Sequence, residues 1–170
     1  GAVSAVIEPE TAAGLCALAK ESGATLFMTM LAAYKLLLCR LSGERDVVVG
    51  VPIAGRMRVE TETMLGCFLN TLPFRTQVDP DSSFRELLGR VRNVALGAYA
   101  HQEVPFDLLV ERLNPQRSLS YSPFFQVLFN MLNMPSAPEG LAHVRVQSRD
   151  GADASAKFEL TMYVQERGDD

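Results

Sequence analysis

With 170 residues, the chain has the length of one domain or of one large lobe of a bigger one. Hydrophobic residues make up 48% of it and charged residues 21%, which excludes a disordered chain, and a net charge of -4 gives no reason to expect a nucleic-acid partner. Cys16, Cys39 and Cys67 are odd in number and lie in apolar runs without metal-ligand spacing, so they are expected to be buried thiols in a reducing compartment.

Residues 3–7 read as a short strand. Glu8 and Glu10 interrupt any leader-like start, so no signal peptide is expected. Pro9 fits the first turn of a helix, where its missing N–H leaves nothing unpaired. That helix is expected to run to about Ser22, with Leu15, Leu18 and Ala19 on one face and Gly23 as its stop. Thr25 is placed to cap the next helix. Phe27, Leu31, Tyr34 and Leu38 line one side, and Leu26, Met28, Met30, Leu36 and Leu37 extend the apolar surface around it. This is the pattern of a buried, central helix, ended by Ser42-Gly43. Thr29, Lys35 and Arg40 interrupt it and it is short, so no membrane span is expected and the location is read as cytoplasmic.

Residues 47–53 form a continuous apolar run of strand length, expected to be a central strand covered by helices. Gly50 to Gly55 has the glycine spacing of a phosphate loop. However, Arg56 stands in place of the lysine, Met57 in place of the hydroxyl, and Pro52 has no N–H to offer. A strand end needing close backbone approach is the better reading, with Arg56 as a solvated surface side chain. A short helix over 60–65 leads into the stretch 64–75, a Gly-broken helix end turning into a strand. There Gly66 permits the bend, Leu65 and Phe68 are expected to pack on one side of it, and Leu72 and Phe74 point one way. Pro73 removes a ladder donor and so places this strand at an edge or a bulge.

Asp79-Pro80-Asp81 reads as a turn, and Ser83 with Glu86 as a capping box. The long helix that follows carries Phe84, Leu87, Leu88, Val91, Val94, Ala95 and Ala98 at helical spacing, with Arg85, Arg92 and Asn93 on its wet side, and His101 closes it. Pro105 starts a short helix with Phe106, Leu109, Val110 and Leu113 inward, ended by Asn114-Pro115. A polar loop over 116–122 precedes a strand over 124–132, with Phe125, Val127 and Phe129 on one face and Gln126, Leu128 and Asn130 on the other. Val144 with Val146, and Phe158, Leu160, Met162 and Val164, alternate in two further strands, with a loop over 135–140 before them. Buried helices mixed with strands imply an α/β sandwich.

Three stretches, in order, resemble the later motifs of the condensation domains of nonribosomal peptide synthetases. Gly66, Phe68, Asn70-Thr71-Leu72 and Arg75 match Gly-x-Phe-Val-Asn-Thr-Leu-x-x-Arg, with Leu69 where Val is usual. His101-Gln102-Glu103-Val104-Pro105-Phe106-Asp107 matches His-Gln-Asp-Val-Pro-Phe-Glu with the acids exchanged. Arg117, Ser120 and Pro123 fit Arg-Asp-x-Ser-Arg-Asn-Pro-Leu, from which Ser118, Tyr121, Ser122 and Phe124 depart.

The resemblance implies the two-layer α/β sandwich shared with chloramphenicol acetyltransferase, in which two similar lobes face each other in a V around a tunnel. Residues 1–170 match the second lobe alone, as a single domain incomplete at its C-terminal end. The family's catalytic signature, His-His-x-x-x-Asp-Gly, belongs to the first lobe. The only histidines here are His101 and His143, so no catalytic residue and no metal site is assigned. The motif residues are expected to shape a tunnel wall. The implied reaction is amide formation between aminoacyl or peptidyl thioesters carried on the phosphopantetheine of carrier proteins, with no cofactor bound by the lobe itself. The implied partners are the N-terminal lobe and the carriers, with no nucleic acid and no membrane. An apolar lobe-facing surface open to self-association is expected as well. An epimerisation, cyclisation or ester-forming relative of the same fold, and a non-catalytic carrier-binding module, stand as alternatives.

His101 has a carboxylate neighbour in Glu103, but a helix C-cap is favoured over a base because no nucleophile accompanies it. Gln126 and Asn130 share a polar-tipped strand face. They either line the tunnel or are satisfied amides beneath a covering helix. His143 is given no role. There is no Gly-x-Ser-x-Gly elbow.

Overall fold

The structure is a computed structural model that describes residues 1–115, 121–132 and 156–166. Its order is α1 (Pro9–Glu21), α2 (Leu26–Ser42), β1 (Asp46–Ile53), α3 (Val59–Glu62), β2 (Asn70–Gln77), α4 (Phe84–Ala100), α5 (Phe106–Leu113), β3 (Val127–Leu132) and β4 (Leu160–Gln165). The strands form one sheet in the order β2-β1-β3-β4. β1 runs antiparallel to β2, with Gly50 opposite Pro73, while β1 with β3 and β3 with β4 are parallel. Pro73 therefore lies on an edge strand, the place where a missing N–H does least harm.

Local signals set most element ends. Pro9 opens α1, and Gly23 and Gly43 follow α1 and α2 with positive φ, the backbone shape that a helix stop requires. The Thr25 hydroxyl accepts from the Met28 N–H at 3.2 Å. Ser83 and Glu86 form a complete capping box: the Ser83 hydroxyl accepts from the Glu86 N–H at 3.3 Å, and the Glu86 carboxylate accepts from the Ser83 N–H at 2.8 Å. The Ser83 donors hold the Glu86 carboxyl below its usual range.

Helices α2 and α4 pack on each other, α2 on β1 and α4 on β2, with α1 against α2. The core lies between this helical layer and the sheet. Leu31, Ala32 and Tyr34 from α2 meet Val49, Phe74, Phe129 and the Leu87/Leu88/Val91 stripe of α4. Phe27 is its aromatic centre, 6.1 Å from Phe74 and 5.6 Å from Phe129 in edge-on contacts. Val47, Val49 and Val51 face the helices, as a central strand should.

Several expectations are corrected. Residues 3–7 are not a strand: no ladder partner lies beside them among the described residues, and Val3 and Val6 are exposed. Only Cys39 is a buried thiol, because Cys16 sits on the outer face of α1 and Cys67 in an exposed loop. Leu65 is fully exposed and does not pack with Phe68, and Leu113 faces solvent at the end of α5. Helix α3 is shorter than the expected 60–65. The strand expected from 124 begins at Val127, because Phe124 takes a positive φ of 69° and breaks the alternation. Phe125 is thereby turned to the opposite face from Phe129, where it covers Gly50. The expected Val144/Val146 strand, the loop 135–140, and Arg117, Ser118, Ser120 and His143 lie outside the described residues.

Candidate functional site

The two stretches that stand out in the sequence, 64–75 and 101–107, meet at one side chain. The Asn70 carboxamide donates to the Gln102 carbonyl at 3.0 Å and to the Val104 carbonyl at 2.8 Å. Its oxygen accepts from the Thr71 N–H at 2.9 Å and the Phe106 N–H at 3.1 Å. Two N–H donors and two oxygen lone pairs are the whole capacity of an amide, and all are used. Phe106 opens α5, whose N-terminal position, Pro105, provides no side-chain cap. Asn70 reaches across from the sheet to satisfy that orphan donor.

Around this junction lies an apolar recess of about 170 Å³, lined by Thr71, Leu72 and Pro73 of β2, Ala98 and His101 at the end of α4, Val104, and Phe106 and Leu109 of α5. His101 is the C-cap of α4, its backbone N–H directed to the Ala98 and Tyr99 carbonyls, and its side chain borders the recess. Among the described residues no carboxylate forms an ion pair with its imidazole, and Glu103 and Asp107 are exposed. The arrangement supplies a shaped apolar wall with one imidazole at its rim and, among the described residues, no nucleophile–base pair.

The remaining members of the first motif brace the approach to this wall. Leu72 is buried in the core. Arg75 is exposed and grips Asp46 across the β1–β2 ladder, with Nε and Nη2 at 2.6–3.0 Å from its carboxylate oxygens. The Arg75 hydrogen bonds hold the Asp46 carboxyl below its usual range. Phe68 lies under the Arg56 guanidinium, 4.5 Å from ring centroid to Cζ. Arg56 also donates to the Thr61 carbonyl and, at 3.3 Å, to that of Gly66. Arg56 is thus not the solvated surface residue expected from the sequence: it is half-buried and ties the 56–68 connection into a closed loop. Gly50 and Gly55 do serve close backbone approach. A Cβ on Gly50 would collide with the Phe125 ring, and one on Gly55, which has a φ of +65°, with the Phe68 carbonyl.

Gln126 and Asn130 are both half-buried but are not brought to this recess. The Gln126 amide donates to the Ser122 carbonyl at 3.1 Å and borders a second, more polar recess of about 260 Å³ with Tyr121, Ser122, Lys157, Phe158 and Glu159. Asn130 pairs in register with Tyr163 in the β3–β4 ladder. Phe106, Phe125 and Phe158 form a chain of rings, spaced 5.6 and 5.7 Å, that joins the two recesses through the sheet face carrying Gly50.

Sequence reading missed one group, Lys35. It is completely buried, with Nζ donating to the Val47 and Phe74 carbonyls. The signal was present, since Lys35 follows Leu31 by four residues and precedes Leu38 by three, on the core-facing stripe.

A family model described as condensation domain matches residues 1–170. A component of the linear gramicidin synthase of Brevibacillus parabrevis is 49% identical over 167 residues, which cover 95% of this chain and 2% of that protein. Among solved structures, a holo four-domain nonribosomal peptide synthetase bound to AMP and glycine superposes with a TM-score of 0.74 at 29% identity, covering 76% of this chain and 10% of that one. The first condensation domain of the calcium-dependent antibiotic synthetase, in complex with a substrate analogue, gives 0.64 at 28% identity, covering 75% of this chain and 28% of that one.

Proposed function

The chain belongs to the condensation domain family, and on that premise we propose that it is the second lobe of such a domain and forms one wall of the tunnel in which an amide bond is made. Two carrier proteins would each deliver a thioester on a phosphopantetheine arm. The acceptor's amine attacks the donor's thioester carbonyl, the C–S bond breaks, and the leaving thiolate takes up the proton lost by the new amide nitrogen. An amine attacking a thioester is already a feasible reaction. Holding the reactants in line supplies effective molarities on the order of 10⁵ M or more, whereas a general base typically adds about 10²–10⁴-fold. A lobe that positions without a base therefore contributes the larger share. The three free thiols, two of them exposed, suit a reducing, cytoplasmic setting.

The observation that carries this reading is the Asn70 clamp. The two segments that resemble the family's motifs are joined by one fully used amide, and what they build is a shaped apolar wall with no nucleophile–base pair among the described residues. The test is amide formation from two carrier-loaded aminoacyl thioesters, by this chain alone and by the same chain joined in cis to the preceding lobe. The chain alone is expected to give no amide and the joined protein to give it. Turnover by the chain alone that is abolished by His101→Ala would overturn the reading. A joined protein that only hydrolyses or epimerises the thioester would favour a relative of the same fold with other chemistry. Carrier binding by a joined protein without any turnover would favour a non-catalytic module.

A further inference from the structure

Lys35 is the one lysine of the three in the chain that is withdrawn from water. It projects from α2 into the core and bonds one carbonyl on each of two strands, Val47 of β1 at 3.0 Å and Phe74 of β2 at 2.5 Å. These are the two strands that carry the Gly55–Arg56 loop and Asn70 at their far ends. An uncharged amine has two N–H donors, and the site offers it two acceptors. An ammonium has three. Among the described residues Nζ has these two acceptors and no third, and the buried hydroxyls of Tyr34 and Thr76 take part in no hydrogen bond.

Among the described residues, no free anion compensates a charge there. From β1, Lys35 is faced by Asp46, whose oxygens are held by Arg75 of β2. Its neighbour in the same helix, Tyr34, has a phenol that burial pushes up to about 12 and so keeps neutral. Helices α1 and α4 turn their charged groups outward: Glu21 pairs with Arg85 at the surface, and Arg92 bonds the Gly23 carbonyl. Strand β3 carries no titratable side chain.

We propose that Lys35 is a proton-operated brace: as an uncharged amine it fastens α2 to β1 and β2 at once, and taking up a proton loosens that seat. The brace is independent of which reaction the domain runs. Burial lowers the Lys35 pKa to about 7, partly offset by attraction to Asp46. In the unfolded chain the proton stays on up to about 10.4. Between these limits the unfolded state binds one proton more than the native state, so stability rises with pH across the window. Below about 7 both states carry the proton and the dependence ends.

The test compares the full chain with Lys35→Met, which keeps the length of the side chain and removes the amine, by denaturant unfolding at several pH values. Between about pH 7.5 and 9.5 the unfolding constant of the native sequence is expected to fall roughly tenfold per pH unit relative to that of the variant. In parallel, lysine Cε carbons are labelled and followed by NMR. The signal that disappears in Lys35→Met is expected to titrate at about 7. The same pH dependence in both proteins, or a Lys35 signal titrating at about 10.4, overturns the proposal. The NMR titration reads the native protein, so it decides the matter even where the variant fails to fold.

Discussion

At the scale of single residues, Asn70 shows why two stretches that meet across 32 to 36 positions read as one motif set. Each alone is an ordinary corner. Together they are one amide and its four partners, contributed by 70–71 and 102–106. Truncation by Asn70→Ala leaves two N–H groups and two carbonyls to find water at a half-buried junction. At about 0.5–1.5 kcal/mol net per bond over four bonds, a loss of roughly 2–6 kcal/mol is expected. Asn70→Asp is the sharper probe. It keeps the size and the acceptor side but turns the two donors into a carboxylate facing the Gln102 and Val104 carbonyls, so it should cost more than alanine at neutral pH and recover on acidification. Urea unfolding of both variants at two pH values checks this. An aspartate variant as stable as the native protein would show that the clamp carries no weight. Nothing in the sequence announces the clamp, because an Asn before a strand serves equally as a turn residue. The two motifs were legible, but their contact was not.

At the scale of elements, the junction of β1 and β3 depends on a missing side chain. Gly50 lies beneath the buried Phe125 ring, which also touches Phe106 of α5 and Phe158 before β4. Gly50→Ala would drive its Cβ into that ring and force the ring to shift, an overpacking cost of about 1–3 kcal/mol. Gly89→Ala, on the exposed face of α4 with open space around it, should instead stabilise by about 0.5–1 kcal/mol through helix propensity. Thermal melts of the pair should move in opposite directions. A fall for both would mean that the difference in packing around the two glycines is unimportant. The contrast also marks what sequence patterns reach. Helix limits at Pro9, Thr25, Gly43 and Ser83, the central place of β1 and the edge place of β2 follow from local caps and periodicity, and all could be read in advance. The face of Phe125, the exposure of Leu65 and the burial of Lys35 depend on partners distant in the chain, where period alone cannot reach.

At the scale of the whole molecule, the chain spans 28% of the solved condensation domain it resembles and 2% of its curated relative. Its surface bears on what the remainder would do. Between β1 and β2, the connection exposes Met57, Val59, Met64, Leu65 and Leu69, with Leu65 at 102% of its free area. Five large apolar side chains within thirteen positions exceed the scattered exposure normal for a monomer. The 56–68 loop is held in shape by Arg56 rather than left to collapse inward, so these side chains stay presented to solvent. In the proposed whole domain this surface would meet the other lobe. Without that lobe, the cheapest way to bury it is a second copy. The isolated chain is therefore expected to associate, with an apparent mass that rises with concentration in sedimentation velocity. Leu65→Ser with Leu69→Ser should reverse the association while leaving the melting temperature within a few degrees, since neither side chain belongs to the core. Joining the preceding lobe should reverse it as well. A chain that stays monomeric across two decades of concentration would show that this surface seeks no apolar cover, and the two-lobed reading would lose its support from the surface while keeping that from the Asn70 junction.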